Sequence, residues 1–264
     1  MNTSRVPGFL AFFLASLFVI PALAGGPGSA SAADDQPPDP VPSVESDASG
    51  PDSLHKDGPV RFEWDATYAS WYSFQGFDYS NHRPVLQPEL SATMSGFSVG
   101  VWGNLDQSQG ELNEMDATFR WDGESGRVSG GLGYVHLQYP NRTGWNPSQE
   151  LLGEISLDAL LQPSASVHWD VDQGRGAYAT LGIGGEIPLA STSAVLAAKL
   201  YAQDRYYGVT GISALETRAG VRRVWGGMTW EPALSRVWSW NNGDFRGPNA
   251  IAPSWLFSVS VAPR

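Results

Sequence analysis

Apolar and polar residues alternate with a period of two over most of residues 60–264. Phe62, Trp64, Ala66 and Tyr68 alternate with Glu63, Asp65 and Thr67. Leu86, Leu90, Ala92 and Met94 alternate with Gln87, Glu89, Ser91 and Thr93, and Phe97, Val99 and Val101 follow the same rule. Met115, Ala117, Phe119 and Trp121 oppose Glu114, Asp116, Thr118 and Arg120; Leu151, Ile155 and Leu157 oppose Glu150, Glu154 and Asp158. The pattern returns at Val167–Val171, Ala177–Ile187, Leu196–Leu200, Leu215–Arg222, Met228–Glu231 and Trp255–Val261, and in blurred form at Arg127–Tyr139, where glycines interrupt it. A two-residue period sends successive side chains to opposite faces of a β-strand. It predicts about twelve strands, each with one apolar and one polar face.

The links between the runs fall into two sets. Ser95-Gly96, Asp122–Gly126, Leu161–Ser164, Pro188–Thr192 and Gly226-Gly227 read as short turns; Gly76–Arg83, Leu105–Leu112, Pro140–Pro147, Gln203–Gly211 and Asn241–Pro253 read as longer loops. Asp172–Gly176 breaks the alternation, being no longer than a turn. An even number of strands with short links at one end and long links at the other is the sequence signature of a transmembrane barrel. The expected fold is therefore all-β, an antiparallel up-and-down transmembrane β-barrel of about 12 strands. A secreted soluble β-sandwich or barrel that binds a ligand is the alternative.

Composition fits the barrel without proving it. Charged residues are 16% of the chain, aromatics 12% with 11 Trp, and there are 30 Gly. Mean hydropathy is only -0.22, as expected when every second residue meets lipid. The net charge of -11 argues against nucleic acid as a partner, because counterion release needs a basic surface. The absence of Cys excludes disulfides and thiolate chemistry.

The first residues read as an export signal. Arg5 precedes an apolar core, Phe9–Ile20, which is shorter than the ~20 residues of a spanning helix. Ala22-Leu23-Ala24 and Ala30-Ser31-Ala32 both offer cleavage sites, and the second leaves an acidic start at Ala33-Asp34. Residues 1–32 are assigned to a signal peptide. Residues 33–59, rich in Asp, Pro and Ser, are assigned to a disordered linker that cannot bury enough apolar surface to order itself. Residues 60–264 form the barrel.

The polar face supplies the candidate site. Its acids are Glu63, Asp65, Glu89, Glu114, Asp116, Glu150, Glu154, Asp158, Asp170, Glu186, Glu216 and Glu231; its bases are Arg120, Lys199, Arg218 and Arg222; His168 joins them. Inside a barrel such charges must be paired or wet. They are expected to line a pore whose surplus of carboxylates favours cations. A lumen closed by salt-bridged side chains is the competing expectation; each Arg is expected to pair with a neighbouring Glu, the alternative being a basic patch of Arg120, Arg218 and Arg222 facing the acids. Catalysis is not expected. His168-Trp169-Asp170 places two polar groups on one face with Ser166, but neither an oxyanion hole nor a nucleophile signature surrounds them. Asp170-x-Asp172-x-Gly174 fails as a calcium loop, since Leu181 stands where a bidentate Glu is required. Gly182-Ile183-Gly184-Gly185 lies inside a strand and opens no helix, so it is no phosphate loop. No cofactor and no metal are expected.

Several stretches also carry a family resemblance. Tyr72-Ser73-Phe74-Gln75-Gly76 with Ser80 and Pro84-Val85-Leu86-Gln87-Pro88 resembles the first hairpin of the TorF-type porin family, bacterial outer-membrane proteins formerly classed as conserved hypothetical. Gly96-Phe97, Val101-Trp102-Gly103, Asn113-Glu114-Met115-Asp116, Gly133-Tyr134, Tyr139-Pro140, Glu150 and Glu154 fit the same pattern, so the likeness spans most of Asp65–Gly185. The resemblance implies an outer-membrane barrel and a channel. Two positions depart from it: Gln75 stands where Arg is expected, and the chain ends Val261-Ala262-Pro263-Arg264 rather than on an aromatic residue, leaving Phe257 or Trp255 to serve in assembly. The expected partners are outer-membrane lipid and small hydrophilic solutes or ions; no oligomeric state follows.

Overall fold

The computed structural model describes residues 59–240 and 254–264. The expected signal peptide, nearly all of the expected linker and the Asn241–Pro253 loop lie outside the described residues. Fourteen strands follow in order: β1 (Arg61–Ala69), β2 (Ser73–Phe74), β3 (Phe77–Asp78), β4 (Val85–Met94), β5 (Phe97–Asp106), β6 (Glu111–Ser125), β7 (Val128–Gln138), β8 (Ser148–Leu157), β9 (Ser164–Asp170), β10 (Gly176–Leu189), β11 (Thr192–Tyr206), β12 (Val209–Trp225), β13 (Met228–Ser239) and β14 (Ser254–Pro263). Twelve of them close into one antiparallel barrel, β1-β14-β13-β12-β11-β10-β9-β8-β7-β6-β5-β4, and β2 pairs only with β3. Closure leaves the twelve described barrel strands no free edge. The twelve-stranded all-β barrel is as the alternation predicts.

The register fixes the two faces. Thr67 lies opposite Ser260 and Gln87, Asp65 opposite Glu89, Glu89 opposite Trp102, and Trp102 opposite Asp116. The other parity puts Phe62, Leu90, Val99, Val101, Phe119, Leu132, Leu181, Ile183, Leu196, Val221, Leu234 and Phe257 outward, and all are exposed. This exterior is an apolar belt. Phe62, Phe97, Trp121, Trp225 and Trp230 ring the end that holds the chain terminus, while Tyr68, Trp169, Trp240 and Trp255 ring the other. Aromatic girdles around an apolar band are what a barrel in lipid presents.

Several links differ from expectation. β6 runs to Ser125, so Asp122 and Glu124 are strand residues and the turn is Gly126-Arg127. β11 and β12 pair as far as Tyr206 and Val209, leaving Tyr207-Gly208 as a two-residue turn where Gln203–Gly211 reads as a loop. The β5–β6 link shortens to Gln107–Gly110. Register shifts at Asn104/Leu105, Tyr201/Ala202 and Gln203/Tyr206 accompany the last two cases, while the β6–β7 ladder runs unbroken to its turn. Each bulge breaks the two-residue period that sequence reading relies on, while the hydrogen-bonded ladder continues. Ser95-Gly96, Gly226-Gly227, Tyr207-Gly208 and Gln75-Gly76 all have positive φ at both positions, the twist that tight hairpin turns require.

Candidate functional site: the barrel lumen and its inserted loop

The longest described link, Ser70–Pro84, does not arch away from the barrel. It carries the β2–β3 hairpin and packs into the lumen. Trp71, Tyr72, Gln75, Asp78 and Ser80 are buried. On one side the Tyr72 ring lies 5.8 Å from Trp102 of β5; on the other the Phe74 ring lies 5.5 Å, edge-on, from Tyr178 of β10. Those strands stand five places apart in the ring of twelve, so the loop crosses the bore. Trp71 Nε1 donates to the Trp255 carbonyl at 3.0 Å, and Ser239 Oγ donates to the Gly76 carbonyl at 2.6 Å. A Cβ added to Gly76, whose φ is +88°, would stand 2.5 Å from the Ala214 Cβ. Only glycine lets the hairpin tip approach β12 so closely.

Short-range polar chemistry stiffens the loop. Asp78 accepts from Ser80 N, Ser80 Oγ and His82 N, and Ser80 Oγ accepts from Tyr72 N. His82 stacks on Trp71 at 5.3 Å, Arg83 pairs with Asp106 at 2.8 Å, and Arg142 donates to the Tyr79 carbonyl at 2.7 Å. Ala69, Trp71, Tyr72, Val85, Val237 and Leu256 form the buried apolar cluster that anchors it. Outside the strands, burial foremost raises the Tyr79 and Tyr139 phenols well above their ordinary range, and Tyr207 is pushed up to about 12. All three are neutral donors at physiological pH.

Between loop and wall lies a cavity of about 340 Å³ lined by Tyr72, Phe74, Trp102, Glu114, Asp116, Glu150, His168, Tyr178 and Arg218 among others. The β8 carboxylate Glu150 is 3% exposed and fully engaged, accepting from Tyr206 Oη at 2.6 Å and lying 3.0 Å from His168 Nδ1. Glu114, on β6, is 7% exposed, and its Oε2 has no hydrogen-bond partner; nor has Asp116 Oδ1 two residues on.

Towards the short-turn end the charges pair off instead. Arg120 bonds both Asp122, at 2.6 Å from Nε, and Glu154 across β7. Arg218 donates to Glu231 at 2.8 Å, and Arg222 bridges Glu231 at 2.9 Å and Glu186 at 2.5 Å. These two networks sit on opposing parts of the ring, around β7 and around β12.

Glu63 and Asp65 on β1, Glu89 on β4, Glu114, Asp116 and Arg120 on β6, Glu150 and Glu154 on β8, His168 and Asp170 on β9, Glu186 on β10, Lys199 on β11, Glu216, Arg218 and Arg222 on β12, and Glu231 on β13 share the inner face by register. Asp158 does not. It lies in the β8–β9 link, with an 81% exposed side chain 3.9 Å from Arg127; the strand ends one residue before it, so alternation no longer governs its direction. Asp122 was missed because Asp-Gly reads as a turn; its neighbour Arg120 two residues earlier on the same face was the available signal. The inserted aromatics Trp71, Tyr72 and Phe74 were missed because loops are expected at the surface. His168 and Asp170 do not form a pair: Asp170 Oδ2 accepts from Ser148 at 2.7 Å, and Ser166 shares its bond with Thr180.

The class is thus a closed twelve-stranded antiparallel barrel, apolar outside and charged inside. A family model described as a bacterial protein of unknown function (Gcw_chp) matches residues 54–232, and the chain belongs to that family. No curated protein matches. Among solved structures, the NanC porin in a rhombohedral crystal form is similar at 11% identity, covering 77% of this chain and 100% of that one with a TM-score of 0.49. A structure from work on in-meso crystallization of membrane proteins is similar at 12% identity, covering 76% and 83% with a TM-score of 0.44.

Proposed function

We propose that the protein is a bacterial outer-membrane channel for passive diffusion of small hydrophilic solutes, weakly selective for cations. The carrying observation is the contrast across the wall. An apolar, aromatic-girdled exterior suits hydrocarbon, where a closed barrel satisfies every backbone group. The interior carries more carboxylates than basic groups, even after Arg120, Arg218 and Arg222 have drawn theirs into ion pairs. The surplus gives a negative potential that concentrates cations, most strongly at low ionic strength. The exposed belt also argues against a secreted soluble binding protein, whose surface would not present so continuous an apolar band. His168 lies against Glu150, and Ser166 shares its hydrogen bond with Thr180; the role proposed is passage of solutes. Reversal potentials in a salt gradient across planar bilayers test it; a cation-directed potential is expected, and anion preference overturns it.

A second reading draws on the inserted loop. Tyr72 and Phe74 cross the bore between β5 and β10, and a barrel so stoppered is a non-conducting structural protein of the outer membrane. Folded protein that stays electrically silent in bilayers favours this reading over the first.

A further inference from the structure

We propose that the cavity under the inserted loop is a binding site for a small organic ammonium compound, held by Glu114 and Asp116 with Tyr72, Phe74, Trp102 and Tyr178 around it. The inference rests on the channel reading in so far as it names a solute class for the same lumen.

The first warrant is an unmet demand for donors. Glu114 is nine-tenths buried on the cavity wall; the Tyr72 hydroxyl reaches its carboxylate, and its Oε2 is left without a partner. Asp116 Oδ1 lacks one as well. The two project from the same face of β6, roughly 7 Å apart along the strand. Buried carboxylate oxygens left without donors are costly, whereas Glu150 close by has both oxygens occupied by Tyr206 and His168. An alkylammonium brings three N–H donors and a positive charge to the two vacant acceptors.

The remaining walls decide between an inorganic and an organic cation. Among the described residues no cluster of three or more His, Asp or Glu side chains has the geometry to hold a metal ion. Around the acids stand the four aromatic rings with Val135, Leu137 and Leu256, and also Glu150, His168 and Arg218, which are already engaged, Glu150 with His168 and Arg218 with Glu231. Aromatic faces attract ammonium groups and accept the hydrocarbon they carry. The cavity volume of about 340 Å³ suits a small solute.

The test is calorimetric titration of the folded full chain in detergent with butylammonium chloride, set against butyrate, 1-butanol and potassium chloride. Butylammonium alone should bind, and Glu114→Gln should weaken it by ~10- to 100-fold, the value of a charge-assisted hydrogen bond. If Glu114→Gln fails the heat-modifiability assay for folding, Asp116→Asn takes its place with the same expectation. Equal binding of 1-butanol, which marks a merely apolar cavity, overturns the proposal. So do preferential binding of butyrate, binding of potassium with equal affinity, no binding at all, or an unaffected variant. Detergent titration needs no conduction. A conducting barrel that ignores butylammonium sinks this inference alone, and a silent barrel that binds it sinks only the channel.

Discussion

The two halves of the lumen solve the same problem in opposite ways. Both are built from polar residues on the inner parity of the same strands. Near the short turns arginines meet carboxylates along and across strands, as Arg120 does with Asp122 on its own strand and Glu154 two strands away, and Arg222 with Glu186 and Glu231. At the other end the chain folds its own aromatic loop into the bore. There Glu114 and Asp116 keep oxygens without partners beside Tyr72, Phe74 and Trp102. Charge compensation within the wall leaves the ionised groups there satisfied by one another. Covering the wall with apolar surface withdraws water and leaves the acids to be satisfied by something that enters.

Excising the loop should have the largest effect on this contrast. Replacing Trp71–Arg83 with a short Gly-Ser link should raise single-channel conductance several-fold while the twelve strands persist, read by bilayer recording and far-ultraviolet spectra. Unchanged conductance would mean the loop does not limit passage, and the two ends would differ only in decoration. Arg222→Gln comes next. It strands Glu186 and leaves Glu231 to Arg218 alone, so stability should fall by about 1–3 kcal/mol, and cation preference should rise; a urea series and a reversal potential measure the two. No loss of stability would show that the short-turn end is wet enough to dispense with its pairs.

Gly76→Ala should cost about 1–3 kcal/mol from left-handed backbone strain, with the close approach to Ala214 adding pressure on the hairpin tip. Conductance should rise with it as the tip lifts. The smallest effect expected is that of Glu63→Gln. Glu63 is exposed near the start of β1, where screening leaves it worth about 0–1 kcal/mol, and its reversal potential should move less than that of the Glu114→Gln and Asp116→Asn double variant. A reversed order would place the selectivity at the short-turn mouth.

The inner and outer faces were legible in the residues because strand direction is a local property. Phe62 to Tyr68 and Glu150 to Leu157 needed only their own alternation to be sorted. Twelve strands and their antiparallel order followed from runs and turns counted along the chain. Reading failed where a bulge shifts the period, at Gln203–Tyr206, where a strand outruns its turn signal, at Asp122, and where a strand stops short, at Asp158. The inserted loop had a partial sign in Gln75-Gly76 between Phe74 and Phe77, a hairpin turn flanked by aromatics. Nothing nearby in sequence said where that hairpin would go. Its partners are Trp102, Tyr178, Ala214, Ser239 and Trp255, from as few as 30 to as many as 184 positions away. Only closure of the ring brings them to one place, because a barrel interior has no address along the chain. The same closure decided which Arg met which Glu, and left Glu114 and Asp116 facing a cavity.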